Sequence, residues 1–201
     1  MMTKTKAILK VVKDIYKEAK KAKKPQFIGQ YCKCDNFNVV TDSFRILATT
    51  ADLNKEATEN PMINYLNGVV TGAKHLKNKT YLPNVDELRN AIETINTEGK
   101  QKEIAIVFDD KVTLNAYWLL NALEAIEAYE LNYLDCKHQI MIEDNTSRFI
   151  MMPIVSVSIN SKTHRKEYRN TIPADKQFIC VNDKGELNII DRRPAPEEET
   201  A

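Results

Sequence analysis

The first two dozen residues carry two interleaved patterns that only a helix separates. Ile8, Val11, Val12, Ile15, Ala19 and Ala22 recur at helical spacing, while Lys6, Lys10, Lys13, Lys17, Lys20 and Lys24 advance in steps of four and three. At about 100° per residue the two sets fall on opposite faces. Pro25 closes the helix, because the residue before a proline is pushed out of the α region. Short strands are expected next at Gln26–Lys33, Phe37–Thr41 and Arg45–Thr49, joined by the turn-favouring pairs Asp35-Asn36 and Asp42-Ser43. Residues 51–82 mix acidic and Asn-rich stretches with the apolar patch Tyr65–Val70 and read as a loop or excursion.

A second helix is expected over Val85–Ile95, with Asn84 as N-cap, Glu87 three residues on, and Gly99 as a stop. The strand Glu103–Phe108 and a turn at Asp109-Asp110-Lys111 lead into a helix over Ala116–Tyr129, apolar along Ala116, Leu119, Leu120, Leu123 and Ile126. Leu131–Leu134, Gln139–Glu143 and Arg148–Pro153 read as strands, with a tight turn at Glu143-Asp144-Asn145. Val155, Val157 and Ile159 continue the strand pattern, and Phe178–Val181 with Leu187–Ile190 frame a final hairpin. Residues 194–201 are too polar and charged to pack and are expected to be disordered.

A helix followed by antiparallel strands is therefore stated twice, over Lys4–Thr49 and over Thr113–Ile154. Each copy leaves an apolar sheet face and an apolar helix stripe, so the two should pack side by side with the helices on one side of a sheet, an α+β arrangement. The expected organisation is a first unit with an insertion over 1–102, a second unit over 103–160, a C-terminal hairpin extension over 161–193, and the tail.

Charge changes this picture only once it is located. The 29 basic residues nearly balance 28 acidic ones in the 201-residue chain. Residues 1–24, however, hold nine lysines against Asp14 and Glu18, which makes a basic element on a mildly acidic body. Cys32, Cys34, Cys136 and Cys180 have neither metal-site spacing nor the density of a disulfide scaffold, and the start lacks an apolar signal core, so a reducing cytoplasm is expected. No run approaches the roughly 20 apolar residues that span a bilayer, and no membrane partner is expected.

Three segments resemble the bacterial DNA polymerase III beta subunit, the sliding clamp. The stretch 104–126, IAIVFDDKVTLNAYWLLNALEAI, is similar to that family's strand and following helix through Asn115, Tyr117, Leu119, Leu120 and Leu123, and Met152-Pro153-Ile154 is similar to its closing "MP" strand. Val40–Leu47, VTDSFRIL, resembles the family's "ATDGHRL" turn, with Ser43 in place of glycine and Phe44 in place of histidine. Tyr81–Leu88 is similar to a segment before the last domain, and the pieces stand in the family's order over about half the chain. The resemblance implies a DNA-clamp-like fold of repeated helix-plus-strand units. It also implies a hydrophobic groove that takes short linear peptides from a polymerase or other replication protein. Carried over by position, the groove would involve Thr41, Asp42, Ser43, Phe44, Arg45, Ile46, Met152, Pro153 and Ile154, with one arginine at its rim. The alternative is that these residues are strand ends and core.

In a clamp-like arrangement the lysine stripe would face duplex DNA, since phosphate contacts are electrostatic and sequence-tolerant. An ordinary solvated face is the other reading. The second unit's helix presents Tyr117, Asn121, Glu124 and Ala128 outward, with Glu127 and Glu130 beyond, a face that would repel phosphate. The family's chains hold three domains and close a ring as dimers, whereas this chain has room for about two half-domain units. A homo-oligomer is a partner the resemblance admits.

No catalytic constellation accompanies these features. His75, His138 and His164 stand in unlike contexts, Cys32 and Cys34 share a strand face suited to core packing, and Asp109-Asp110 and Glu143-Asp144 occupy turns where Asp is favoured for backbone reasons. Neither a cofactor nor a metal is expected, and a small hydrolase ranks last. Two readings remain. One is a non-enzymatic, clamp-like protein of DNA replication or repair; the other is a clamp-derived interaction module, of phage or mobile-element type, that never encircles DNA.

Overall fold

The computed structural model describes residues 3–23, 31–53, 57, 63–72, 76–101, 103–161, 163–174 and 176–192. Helix α1 (Lys4–Lys21) buries Ala7, Ile8, Val11, Val12, Ile15 and Ala19, the stripe its spacing anticipates, while Ala22 lies exposed at the C-cap. It is followed by β1 (Cys32–Cys34), β2 (Phe37–Thr41) and β3 (Arg45–Thr49). In the second unit α4 (Ala116–Ala125) is followed by β7 (Glu130–Tyr133), β8 (Ile140–Glu143) and β9 (Ser147–Met151). The expected strand segment 26–30, Lys24 and the tail 194–201 lie outside the described residues.

These six strands form a palindrome. The order is β1-β2-β3-β9-β8-β7, so the two units meet at their last strands, which pair antiparallel from Arg45 opposite Met151 to Thr49 opposite Ser147. The Thr49 and Ser147 hydroxyls lie 2.8 Å apart and fully buried at that seam. Strand β4 (Asn78–Tyr81) pairs with β7 and extends the sheet to seven. Helices α1 and α4 lie against each other on one sheet face, and α3 (Val85–Ile95) packs on the far side of α4. Asn84 caps α3 as expected, its Oδ1 accepting from Asp86 N at 2.8 Å and Glu87 N at 3.4 Å.

The two turns that close the units use the same chemistry. Asp42 Oδ1 accepts from Phe44 N at 2.9 Å and Arg45 N at 2.8 Å; Asp144 Oδ1 accepts from Thr146 N at 2.8 Å and Ser147 N at 3.0 Å. The second oxygen of each aspartate also ties the turn to the helix layer, Asp42 Oδ2 through Arg45, which donates to it and to Asp14 of α1, and Asp144 Oδ2 directly. Asp144 Oδ2 accepts from Lys4 Nζ at 2.7 Å and from Glu127 N at 3.1 Å. That second bond accounts for α4 ending at Ala125 rather than at Tyr129: Ile126 takes an extended conformation and Glu127 gives its N–H to the turn.

Alternation along the central strands builds two cores, one on each face of the sheet. Val40, Leu47, Ile140, Ile142, Phe149 and Met151 face the helix layer, whereas Val39, Ile46, Ala48, Met141 and Ile150 form a second core on the opposite face with Cys32 and Cys34. That core is covered by α2 (Ile63–Thr71), through Leu66 and Val70. The excursion expected over 51–82 therefore contains a helix that closes the sheet's second face. Burial pushes the Cys34 thiol up to about 11, helped by Cys32 and Asp35, so it stays a protonated core side chain.

A second, four-stranded sheet has the order β13-β12-β5-β6, formed by β5 (Ala105–Phe108), β6 (Val112–Asn115), β12 (Gln177–Val181) and β13 (Leu187–Asp191). The C-terminal hairpin is not peripheral: β12 pairs parallel with β5, and Ile179 and Val181 are fully buried in the main core. Strands β10 (Val155–Ile159) and β11 (Lys166–Asn170) form a separate two-stranded ribbon. No helix among the described residues is long and apolar enough to cross a membrane.

Candidate functional site

A groove opens where β3 meets β9. Its walls are Thr41, Ser43, Phe44 and Ile46 from the first unit's turn, Gln139, Ile150, Met151 and Met152 from the second unit, and Tyr65, Leu66 and Val69 from α2. The two units are tied there through the backbone, Met152 N donating to Phe44 O at 2.9 Å. The enclosed space is about 130 Å³, room for one large apolar side chain. Phe44 is 53% exposed, Tyr65 60% and Met152 40%, so three large apolar groups ring the opening and present much of their surface to solvent. Ser43 Oγ and the Gln139 amide have no hydrogen-bond partner among the described residues. The lining carries no formal charge.

The residues singled out from the sequence divide between groove and scaffold. Thr41, Ser43, Phe44, Ile46 and Met152 line the groove, whereas Asp42, Arg45, Pro153 and Ile154 do not. Arg45 does not rim it; strand alternation turns its side chain toward the helices, where it is 1% exposed. Its Nε donates to Asp42 Oδ2 at 2.8 Å and its Nη1 to Asp14 Oδ2 of α1 at 2.6 Å, and the guanidinium lies 4.5 Å from the Trp118 ring centre of α4. Nη2 sits 2.7 Å from the same Asp42 oxygen, close enough to pair by charge though not aligned to donate. Arg45 thus clamps the turn onto both helices, and Pro153 is buried while Ile154 gives its N–H to Thr113 O of β6.

Ser43, which stands where the resembling turn has glycine, adopts φ of 81°, a conformation glycine takes without strain. The Thr41 hydroxyl stabilises this geometry, accepting from Ser43 N at 3.0 Å and donating to Arg45 O at 2.7 Å. The α2 wall is fixed from the sheet: Arg148 Nη1 donates to Val70 O at 2.7 Å near the helix's C-terminal end, and its Nε to Glu143 at 2.9 Å. The i, i+3, i+4 spacing of Leu66, Val69 and Val70 was the signal for this wall; its flanking polar stretches obscured it.

On the opposite side of the sheet, Lys6, Lys10, Lys13, Lys17 and Lys20 are exposed along α1. Lys10 is held by Glu124 of α4 at 2.7 Å, and the other four make no ion pair among the described residues. Glu124 also takes Arg89 of α3 at 3.1 Å. Partial burial alone would raise its carboxyl, but bonds from Lys10 and Arg89 outweigh that and hold it below its usual range. The acid expected to repel phosphate is therefore largely neutralised by the neighbouring helices. No group of metal-binding side chains occurs among the described residues.

No family model matches the chain, and no curated protein matches it. Among solved structures the chain is similar to the Helicobacter pylori beta clamp bound to a DNA ligase peptide, at 13% identity with a TM-score of 0.46. The similarity covers 74% of this chain and 62% of that one, so this chain spans less than two thirds of that protein's length. That likeness by itself establishes neither a family nor an activity.

Proposed function

We propose that this is a non-enzymatic, clamp-like protein of DNA replication or repair that captures a short linear peptide in the groove and contacts duplex DNA through α1. One observation carries the peptide half. The turn at Thr41–Ile46 and the strand end at Met152, more than a hundred residues apart, meet in one neutral, apolar, partly open depression. Such a site suits an extended segment that inserts one large apolar side chain and bonds its backbone to rim groups such as Ser43 and Gln139. Unbranched methionine at Met152 adapts to differing side chains.

The four lysines of α1 that make no ion pair among the described residues support the DNA half, as a row of cations on one helical face is the device for non-specific phosphate contact. A second reading keeps the groove but drops encirclement. It is favoured by α4, which offers no free cation beside α1 and presents Trp118, Leu120 and Asn121 instead.

The test is anisotropy with a fluorescent peptide from the clamp-contacting segment of a replicative polymerase. Phe44→Ala and Met152→Ala should each weaken capture about tenfold, the loss of roughly 1.4 kcal/mol expected for an apolar anchor. Equal affinity for both variants and the wild type would remove the groove. Retention on circular but not linearised DNA would separate the first reading from the second.

A further inference from the structure

The ribbon of β10 and β11 is an arm with no role in the groove. Its five residue pairs run from Val155 opposite Asn170 to Ile159 opposite Lys166, and it forms a sheet of its own. Two five-residue strands make a slab about 17 Å long and about 10 Å wide. An isolated two-stranded ribbon is marginal in water, yet this one exposes Val157 at 53% and Ile159 at 70%. Something should cover it.

Charge indicates what. Residues 155–170 carry four cations and a single acid, Glu167. That acid is already engaged, accepting from Asn160 Nδ2 at 2.5 Å and lying 3.5 Å from Arg169. With +7 on residues 1–24 and +3 on the ribbon, the remainder of a chain of net charge +1 holds −9, so the ribbon is a second basic pole on an acidic body. Strand alternation places Lys166 on one face and Arg169 on the other, with Arg165 at the tip and Ser156 and Ser158 beside Arg169. Arg165 and Lys166 have no ion pair among the described residues. A second copy of the chain is a poorer fit: the slab offers an area far below the roughly 800 Å² per partner of a stable interface.

We propose that the β10–β11 ribbon enters the major groove of duplex DNA tip first, its cations on both faces meeting the phosphates of both groove walls. The major groove, about 12 Å wide, admits a two-stranded ribbon, and the exposed Val157 and Ile159, on the Lys166 face, are then covered by one groove wall. This does not depend on the peptide reading of the groove.

The experiment measures the full chain on a labelled DNA duplex and on the matching single strand over a salt series. Arg165→Glu/Lys166→Glu/Arg169→Glu, and the milder triple change to Gln, should make the plot of log affinity against log salt shallower by about 2 to 3, at roughly 0.9 for each phosphate no longer neutralised. Lys13→Glu/Lys17→Glu on α1 reports that helix separately, and capture of the polymerase peptide should be unchanged in the ribbon variants. A wild-type slope in both ribbon variants would overturn the proposal. So would tighter binding of the single strand, absence of duplex binding at low salt, or self-association that the ribbon substitutions abolish.

Discussion

Replacing Arg45 by methionine isolates the clamp that holds the groove's turn. The substitution keeps a long side chain against Trp118 but removes the charge that faces Asp42 at 2.7 to 2.8 Å and Asp14 at 2.6 Å. Asp42, 2% exposed, would retain its bonds from Phe44 N and the backbone N–H at position 45 while losing its counter-charge. Breaking a buried pair from one side costs about 3 to 5 kcal/mol, and the apolar volume regained by methionine brings the expectation to about 3 kcal/mol. For a chain of this size that lowers Tm by about 6 to 12 °C. Urea unfolding with linear extrapolation measures it, and adding Asp42→Asn should recover at least about 1 kcal/mol, because the stranded carboxylate is then gone. Asp14→Asn should cost less than about 1 kcal/mol, since Asp14 keeps about a third of its side chain in water. An Arg45→Met cost under about 1 kcal/mol, or one that Asp42→Asn does not relieve, would refute the reasoning. Peptide capture gives a second check: Arg45→Met should reduce it less than Phe44→Ala, because the arginine faces the helices.

Gly185 takes φ of 83°, and a Cβ there would lie 2.9 Å from Leu82 O; Gly185→Ala should therefore lower Tm by about 4 to 8 °C, equivalent to about 2 kcal/mol, and an unchanged melting curve would contradict it. Asp144 resembles Glu124 in that partial burial raises its carboxyl while bonds from Lys4, Thr146 and Glu127 N bring it below the ordinary 3.8. Both groups lie lower in the folded state than in the unfolded chain, where Glu124 titrates near 4.5. The stabilisation they confer is thus complete above those ordinary values and is lost as pH falls through the depressed folded ones. Urea midpoints should stay flat near neutrality and drop below about pH 4.5, and Glu124→Gln should make that acid drop smaller; an equally steep drop in the variant would show that the helix-bridging pairs do not matter.

Much of the fold was legible because it rests on local rules. Lysine and aliphatic periodicities defined α1, Asn84 and its capping pattern defined α3, and Asp42 and Asp144 marked the turns that close the two units. Repetition of helix-then-strands sufficed to expect α1 and α4 on one face of a sheet, since each stripe had to be buried against the other unit. Strands β4, β6 and β11 and helix α2 were missed for a common reason: Asn78–Tyr81, Val112–Asn115, Lys166–Asn170 and Ile63–Thr71 owe their state to what they pair with or cover, and their own spacing is short or polar.

The candidate site depended on long-range geometry. The turn residues and Met152 could be named from the resemblance, but whether a strand residue faces the groove or the helices is decided by a period of two, and a pairing partner about a hundred residues away sets which parity is which. The sequence by itself therefore determined the elements, their caps and the charge carried on each. Only the tertiary structure decided that Arg45 turns inward as a clamp while Ile46 turns outward as a wall, and that α2 supplies the third side. Side-chain periodicity is local, but the face it addresses exists only once β3 and β9 have met.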